Sequence, residues 1–406
     1  MFFRCEREPF LQAIQAAQRA VSSRTTLPIL SGLLLNLEDG TLTVTGTDLD
    51  LGIETQFGVE QKEPGAMVLD ARALADIVRR LPDRQVELSL DAATHLARIT
   101  SGPAHFEIHS LDAADYPALP DPGEGLQWSV SYPVLRQLIR FTTFAAANDD
   151  TRASLNGALL ELEDGEAHMV ATDSYRLALF VQPQGAATSV KALIPAQTLQ
   201  EVAKLLVDVP EAQAQITLGK SHALFQLGST RVVTRLIDAT FPNYRQIIPA
   251  SFVTETVVDR LALQSALERA SLLSRGGAVI VKMEISADQL QISASVPDEG
   301  DYREALPAQS TGEDLEVAFN ARYLLDALRV IPNAAVRLRC TGSRSASLLM
   351  PEGPLAGGPA TATSPAPDAA RQQGDAPAAP EEAGGASAES ASGGRFVYMV
   401  MPVMYR

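Results

Sequence analysis

The sequence is short of several residue types, and each shortage excludes a class of protein. Only two cysteines, Cys5 and Cys340, occur in 406 residues. No disulfide framework is therefore expected, and a reducing cytoplasm is the expected compartment. No run of about eighteen apolar residues exists, so no membrane-spanning helix is expected. The opening Met1-Phe2-Phe3-Arg4-Cys5-Glu6-Arg7-Glu8 has charges where a secretory signal needs an apolar run. That counts against a secreted β-repeat adhesin. The five histidines are scattered. None stands at ligand spacing from a cysteine or carboxylate, so neither a metal nor a cofactor is expected. No G-x-S-x-G, P-loop or dinucleotide fingerprint occurs, and no catalytic residue is assigned. Basic residues are also short: 33 Lys+Arg stand against 49 Asp+Glu, a net charge of −16. Proteins that grip phosphates over their whole surface are usually basic. Any nucleic acid would therefore meet one cationic face only.

What the chain does contain is repetition. Residues 30–40 read LSGLLLNLEDG and residues 155–165 read LNGALLELEDG, an offset of 125. The same offset carries Thr47-Asp48 onto Thr172-Asp173, Tyr116-Pro117 onto Phe241-Pro242, and Leu74 onto Leu199; Leu324 lies another 125 beyond. These leucines sit in three similar amphipathic segments, LDARALADIVRRLPD, IPAQTLQEVAKLLVD and FNARYLLDALRVIPN. An earlier helix is expected in each copy, over 8–21, 132–145 and 260–273, with alternating strands such as 41–45 between. The reading is three copies of one α+β domain, antiparallel sheets packed on helices, over 1–125, 126–250 and 251–406. Residues 351–395 are mostly Pro, Ala, Gly, Ser and Glu. They are expected to be a disordered insertion in a hairpin between strands at 346–350 and 396–402.

Few residues invite a chemical role. Asp48 and Asp50, two apart on a strand, could hold a divalent cation, for which loss of a metal-dependent activity in Asp50→Asn would be the test. The preferred reading is a Thr-Asp pair that satisfies turn amides. The predicted helices carry Arg19, Arg72, Arg79, Arg80, Arg136, Arg140, Lys204, Arg269, Arg322 and Arg329. Asp76, Glu201, Glu268 and Asp326 are their main acids, and Arg136 and Arg140 share a face. Either arginine is simply a good surface helix former, or a basic helical surface in an acidic body draws DNA weakly to one side. The methionine-rich end, 397–406, suits an edge strand or a surface that accepts several partners.

Taken in order, TLPIL (26–30), GTDLDL (46–51), ATDSYRLAL (171–179), FPNYRQIIP (241–249) and VMPV (400–403) resemble the bacterial replicative sliding clamps. That family is the beta subunit of DNA polymerase III, and the resemblance covers the chain except the insertion. It implies a non-catalytic, head-to-tail homodimeric ring of six domains, helices inside and sheets outside, that slides on duplex DNA. It also implies polymerase III, clamp-loader and repair-protein partners, and no membrane. A family relative kept as a dedicated recruiter fits equally. For DNA contact the resemblance points to Arg24 and to the loop 148–152 with Asp149 and Arg152, beside the helix cations Arg72, Arg79, Arg80, Arg136, Arg140 and Lys204. Ala153 and Ser154 stand where the family has aromatic residues. It implies a peptide pocket of Leu155, Thr172, Ser174, Tyr175, Arg176, Leu177, Pro242, Gln246 and Ile247. Tyr323, Met399, Met401, Pro402, Val403 and Met404 would complete it. Gln246 stands where Arg is common, and Ala278 where a bulky ring is common. For the dimer it implies Phe106 and Ile108 against the partner's Leu272 and Leu273, with Asp298, Glu299, Asp301 and Glu304 alongside. Pro103 and His105 occupy the strand expected to supply the cations opposite.

Overall fold

A computed structural model of the chain describes residues 1–22, 27–148, 152–184, 189–209, 211–273, 278–355 and 393–404. Arg24, Asp149 and most of the 351–395 insertion therefore lie outside the described residues. Six α-helices occur among those described. They are α1 (Arg7–Ala17), α2 (Ala71–Arg80), α3 (Tyr132–Arg140), α4 (Ala196–Leu205), α5 (Arg260–Ala270) and α6 (Ala321–Leu328). The starts of α2, α4 and α6 fall at the 125-residue offset read from the sequence. Each pair, α1 with α2, α3 with α4 and α5 with α6, packs together.

Local chemistry explains the boundaries. Asp70, Asp259 and Asn320 cap α2, α5 and α6 by accepting from the N–H groups of Ala73, Ala262 and Arg322 at 2.8, 2.7 and 3.0 Å. The expected first helices are shorter than 8–21, 132–145 and 260–273, and each ends in a 3-10 turn. After α3 the cause is visible. Thr142 and Thr143 donate their hydroxyls to the carbonyls of Leu138 and Ile139 at 2.6 and 3.0 Å, occupying acceptors near the helix end. Each helix pair buries an apolar stripe on a sheet. In the first repeat this core runs from Phe3, Phe10 and Ile14 through Leu33, Leu35 and Leu74 to Leu88 and Ile99. Phe3 and Phe10 meet edge to face, 5.8 Å apart.

The described residues form two compact units. Unit 1 comprises those of Met1–Phe180, Ala186–Ala250 and Tyr398–Met401. It holds a five-stranded antiparallel sheet ordered Glu60–Glu63, Phe2–Glu6, Gln85–Asp91, Leu96–Ser101, Ala104–His109. It also holds an eight-stranded sheet in which repeats one and two join, Thr230–Arg235 pairing with Leu51–Gly58 in the register Val232↔Ile53. In the second repeat, Gly157–Glu163 lies between Val190–Pro195 and Glu166–Thr172. Unit 2 comprises the described residues of Val181–Gly185, Ser251–Val397 and Pro402–Arg406. There the long strand Gly300–Gly312 pairs with Gln289–Val296 through its first half and with Thr254–Asp259 through its last.

Two expectations need correction at their edges. The hairpin strands run Ser347–Pro351 and Arg395–Val400, so Pro351 and Arg395 belong to strands and not to the insertion. Glu352 to Pro354 are held as well. Arg337 donates to both Glu352 carboxylate oxygens at 2.8 Å, and the Asn333 amide donates to the carbonyls of Glu352 and Pro354 at 3.0 and 2.8 Å. The last strand stops at Val400, short of the expected 402, because Pro402 has no N–H to give a ladder. Met401 and Val403 donate instead to the carbonyls of Tyr175 and Ala318, each at 2.8 Å.

Both cysteines are buried. Burial pushes the Cys5 thiol up to about 12 and the Cys340 thiol up to about 11. Thiolate, the reactive form, is therefore negligible at neutral pH. In a native thiol assay at pH 8 neither residue should react within minutes, and both should react after denaturation in guanidinium. Rapid labelling of the native chain would contradict this packing.

Candidate functional site

The helix cations are the first group. The six α-helices carry ten basic and five acidic side chains, in a chain of net charge −16. On α2 the buried stripe is Ala71, Leu74, Ala75 and Val78, so Arg72, Arg79 and Arg80 fall on the exposed face. Many of these cations already have partners. Arg79 and Arg80 pair with Asp76, both at 3.3 Å, and Lys204 and Arg19 with Glu201, at 2.7 and 3.1 Å. Arg136 donates to Asp208 at 2.6 Å and to the Leu206 carbonyl at 2.7 Å. Asp208, the last residue of the predicted segment IPAQTLQEVAKLLVD, was not counted among the helix acids, and it lies beyond the end of α4. Arg72 and Arg140 form no ion pair among the described residues. Arg152 is exposed and donates to the Ser174 hydroxyl at 2.7 Å.

The two Thr-Asp motifs build the same turn twice. Asp48 and Asp50 are not on a strand: they lie in the turn between Thr41–Thr47 and Leu51–Gly58. Asp48 accepts from the N–H groups of Asp50 and Leu51 at 3.1 and 2.8 Å, and Thr47 donates to the Leu51 carbonyl at 2.9 Å. One repeat on, Asp173 accepts from Tyr175 and Arg176 at 2.9 and 3.0 Å, and Thr172 donates to the Arg176 carbonyl at 2.6 Å. The residue after each Asp takes a left-handed conformation, Leu49 at φ 83° and Ser174 at φ 79°. That is uncommon for a side chain with a Cβ and is held here by the hydrogen bonds. The turn holds Tyr175 out in solvent, 59% exposed. Only the second turn pairs its aspartate with a cation: the buried Arg176 donates to Asp173 at 3.0 Å and to the Phe144 carbonyl at 2.8 Å.

Unit 1 holds several of the expected pocket residues. Leu155, Thr172, Arg176, Leu177 and Met399 are buried, while Ser174, Tyr175, Gln246 and Ile247 are exposed. The Met401 N–H bonds the Tyr175 carbonyl and so brings the terminal segment to this turn. Tyr323, Pro402, Val403 and Met404 lie in unit 2. There Tyr323 is on α6, and Val403 is fastened beside the strand Leu315–Asn320 that precedes it.

Pro242 and Gln246 belong to a strap, residues 236–247, that lines a cavity of about 920 Å³ with Leu159, Glu161, Lys191 and Lys220. Glu161 is 2% exposed yet fully partnered. It accepts from the Tyr244 hydroxyl at 2.6 Å, pairs with Lys191 at 2.6 Å and with Arg245 at 3.1 Å. Burial pushes its pKa up, but the hydrogen bonds from Lys191 and Tyr244 and the charge of Arg245 outweigh that. The carboxyl ends below its ordinary range. Sequence reading missed Glu161 and Tyr244. The available signal was an acid inside the otherwise apolar strand run ALLEL (158–162).

The self-association candidates are separate surfaces. Phe106 and Ile108 lie on Ala104–His109, the outermost strand of its sheet, and Phe106 is 38% exposed. Such an edge offers unpaired backbone groups. In unit 2, Leu272 is 80% exposed, and Leu273 lies beside Gly300, which begins the strand that follows the turn holding Asp298. Glu304 already holds a cation of its own chain. Arg269 donates to both its oxygens, at 2.9 and 2.6 Å.

Comparison with known proteins gives a consistent result. The profile of the DNA polymerase III beta subunit N-terminal domain matches residues 1–120, that of the central domain 129–243, and that of the C-terminal domain 245–354. The chain is 35% identical to the beta sliding clamp of Bacillus subtilis, over 84% of this chain and 94% of that one. The crystal structure of the B. subtilis DNA polymerase sliding clamp aligns with TM-score 0.85 and 30% identity, over the whole of both chains. That of the Bartonella birtlesii sliding clamp bound to griselimycin aligns with TM-score 0.85 and 29% identity, again over both whole chains.

The paired turns make a comparative prediction. Asp173→Ala removes the acceptor of two amide N–H groups and the carboxylate paired with the buried Arg176, so it should cost about 3 kcal/mol. Asp48→Ala loses the amide bonds alone and should cost about 1–2 kcal/mol. Urea unfolding of the two variants checks this, and equal losses would refute the charge argument.

Proposed function

We infer the function from one plain premise: the chain belongs to the DNA polymerase III beta subunit family, the bacterial sliding clamps. It is a sliding clamp, a non-catalytic factor that keeps a DNA polymerase on its template. Beyond that we propose three clamp domains, 1–125, 126–250 and 251–406. Two copies close head to tail into a ring, helices inward, in the bacterial cytoplasm. The chain then needs no catalytic residue of its own. The observation that carries this reading is the excess of cations on the helices of an acidic chain. A ring need not bind tightly, because escape requires it to open. Weak, screened phosphate contacts let it slide. Arg72, Arg79, Arg80, Arg136, Arg140, Arg152 and Lys204 are the proposed contacts, with Arg24 and Asp149 proposed from sequence alone.

We propose that unit 1 contributes the Tyr175 turn, the strap residues Pro242, Gln246 and Ile247, and Met399 to Met401 to partner binding; Tyr323 and Pro402 to Met404 are proposed from the sequence resemblance alone. Short peptides of the polymerase, the clamp loader and repair proteins would dock there by a few apolar anchors. Griselimycin, found on the Bartonella clamp, is proposed to bind here too. Closure is proposed to use Phe106 and Ile108 against Leu272 and Leu273 of the partner subunit, beside Asp298. Glu304 would serve by holding Arg269.

Two outcomes are expected. Native mass spectrometry should give twice the chain mass at micromolar concentration. Leu273→Asp should give monomer, because an unpaired charge in an apolar contact costs several kcal/mol. Loaded onto nicked circular duplex, the clamp should stay through gel filtration and leave once the circle is cut. Binding to short linear duplex should be weak and fall with salt. Retention on the cut DNA, or a wild-type monomer, would overturn the ring.

A further inference from the structure

We propose that Glu161 is a positioning residue for the partner site: it clasps the strap that carries Pro242, Gln246 and Ile247, without being one of the residues assigned to bind. The inference rests on the pocket reading above.

The strap has few other holds. Leu236 and Ile237 donate their N–H groups to the carbonyls of Ser221 and Leu193, at 2.8 and 2.9 Å. From 238 to 250 Tyr244 is the one buried residue. Apolar packing gives this stretch little hold: apart from Tyr244 its residues are half-buried or exposed, and 236–246 border the cavity of about 920 Å³. The hold is therefore polar and centred on one carboxylate. Glu161 takes the Tyr244 hydroxyl and the Arg245 guanidinium, two consecutive strap residues, and Lys191 fixes its other oxygen from the neighbouring strand. Glu163 adds a second contact to Arg245 at 3.0 Å. The short helical turn Tyr244–Gln246 is thus pinned at its first two residues, and Gln246 and Ile247 follow directly.

The first repeat argues that this clasp is not needed to fold the domain. At the 125-residue offset Glu161 corresponds to Asn36, which is exposed. Tyr244 corresponds to Leu119, which packs against Gly52 by apolar contact. The same fold therefore forms without a buried carboxylate. The polar clasp belongs only to the repeat whose connecting segment carries assigned binding residues.

The test uses the full-length chain. Griselimycin binding is measured by calorimetry, and hydrogen exchange is read over 238–250. Glu161→Ala should release the strap: exchange there should accelerate, and if the seated state falls to about a tenth, apparent affinity falls about tenfold. Dimer mass should be unchanged. Glu161→Gln keeps an acceptor for Tyr244 and should recover most of the affinity. Tyr244→Phe in the Glu161→Ala background should add nothing further. Either milder variant, Glu161→Gln or Tyr244→Phe, keeps the test open if Glu161→Ala does not fold. Protected exchange in Glu161→Ala, or affinity within twofold of wild type, overturns the clasp. The Met401→Ala/Pro402→Ala variant separates the two readings. If it binds griselimycin normally the pocket assignment fails, and the exchange data alone then decide whether Glu161 holds the strap.

Discussion

A helix that covers a sheet has one apolar stripe to bury and must put its charges elsewhere. Most of the molecule follows from that constraint. On α2, Ala71, Leu74, Ala75 and Val78 fill the interior, so the arginines at 72, 79 and 80 can only face water. The acids are spread mainly over strands and loops. The result is a cationic helical face on a chain whose total charge is strongly negative. The ion pairs on that face are cheap to exchange. Arg79 and Arg80 with Asp76 are all more than 40% exposed, and exposed pairs contribute little. A phosphate can therefore replace a carboxylate at small cost and be released again, which is the behaviour a sliding contact requires.

The repeats show how one fold was fitted to different tasks. Both Thr-Asp turns use the same hydrogen bonds, so the backbone design is shared. The second alone adds Arg176, whose charge ties Asp173 to the Phe144 carbonyl and stiffens the turn that presents Tyr175. The same repeat alone replaces an exposed Asn36 by the buried Glu161. Charge has been buried twice in the repeat assigned to binding, each time with full hydrogen bonding. A buried, fully paired charge is weak evidence of added stability. It does fix geometry, because any displacement leaves a charge without a partner.

The parts of this arrangement that were legible in the sequence are those carried by local pattern. The 125-residue offset aligned Leu74, Leu199 and Leu324, which lie on α2, α4 and α6, because an apolar stripe and its cap occupy a few consecutive residues. The Thr-Asp turns were legible for the same reason: the acceptor and its amides are within three residues. What was not legible depends on distant partners. Arg136 meets Asp208 across 72 residues, and Glu161 meets Tyr244 across 83. Nothing in the neighbourhood of either residue announces its partner. The edges of the insertion failed similarly. Composition marked Pro351 as part of a low-complexity stretch, but Val336 on the next strand pairs with it.

The hairpin that receives the insertion is closed off by charge. Arg337 is shared between Glu255 and Glu352, and Arg339 binds Glu255 while stacking on Phe252 at 4.0 Å. This ladder ties three adjacent segments together at the point where the chain leaves the sheet. Beneath it the strands Ala335–Cys340 and Ser347–Pro351 keep regular register, Val336↔Pro351 to Cys340↔Ser347. A closed loop costs only logarithmically more as it lengthens, so the sheet does not depend on how many residues follow Glu352. From Arg395 to Met401 the returning chain spans six residues, about 20 Å if extended. Met401 is therefore a strand's length along the chain from the insertion's base. With its base pinned by these ion pairs, the hairpin keeps its register whatever the length of chain inserted between its strands.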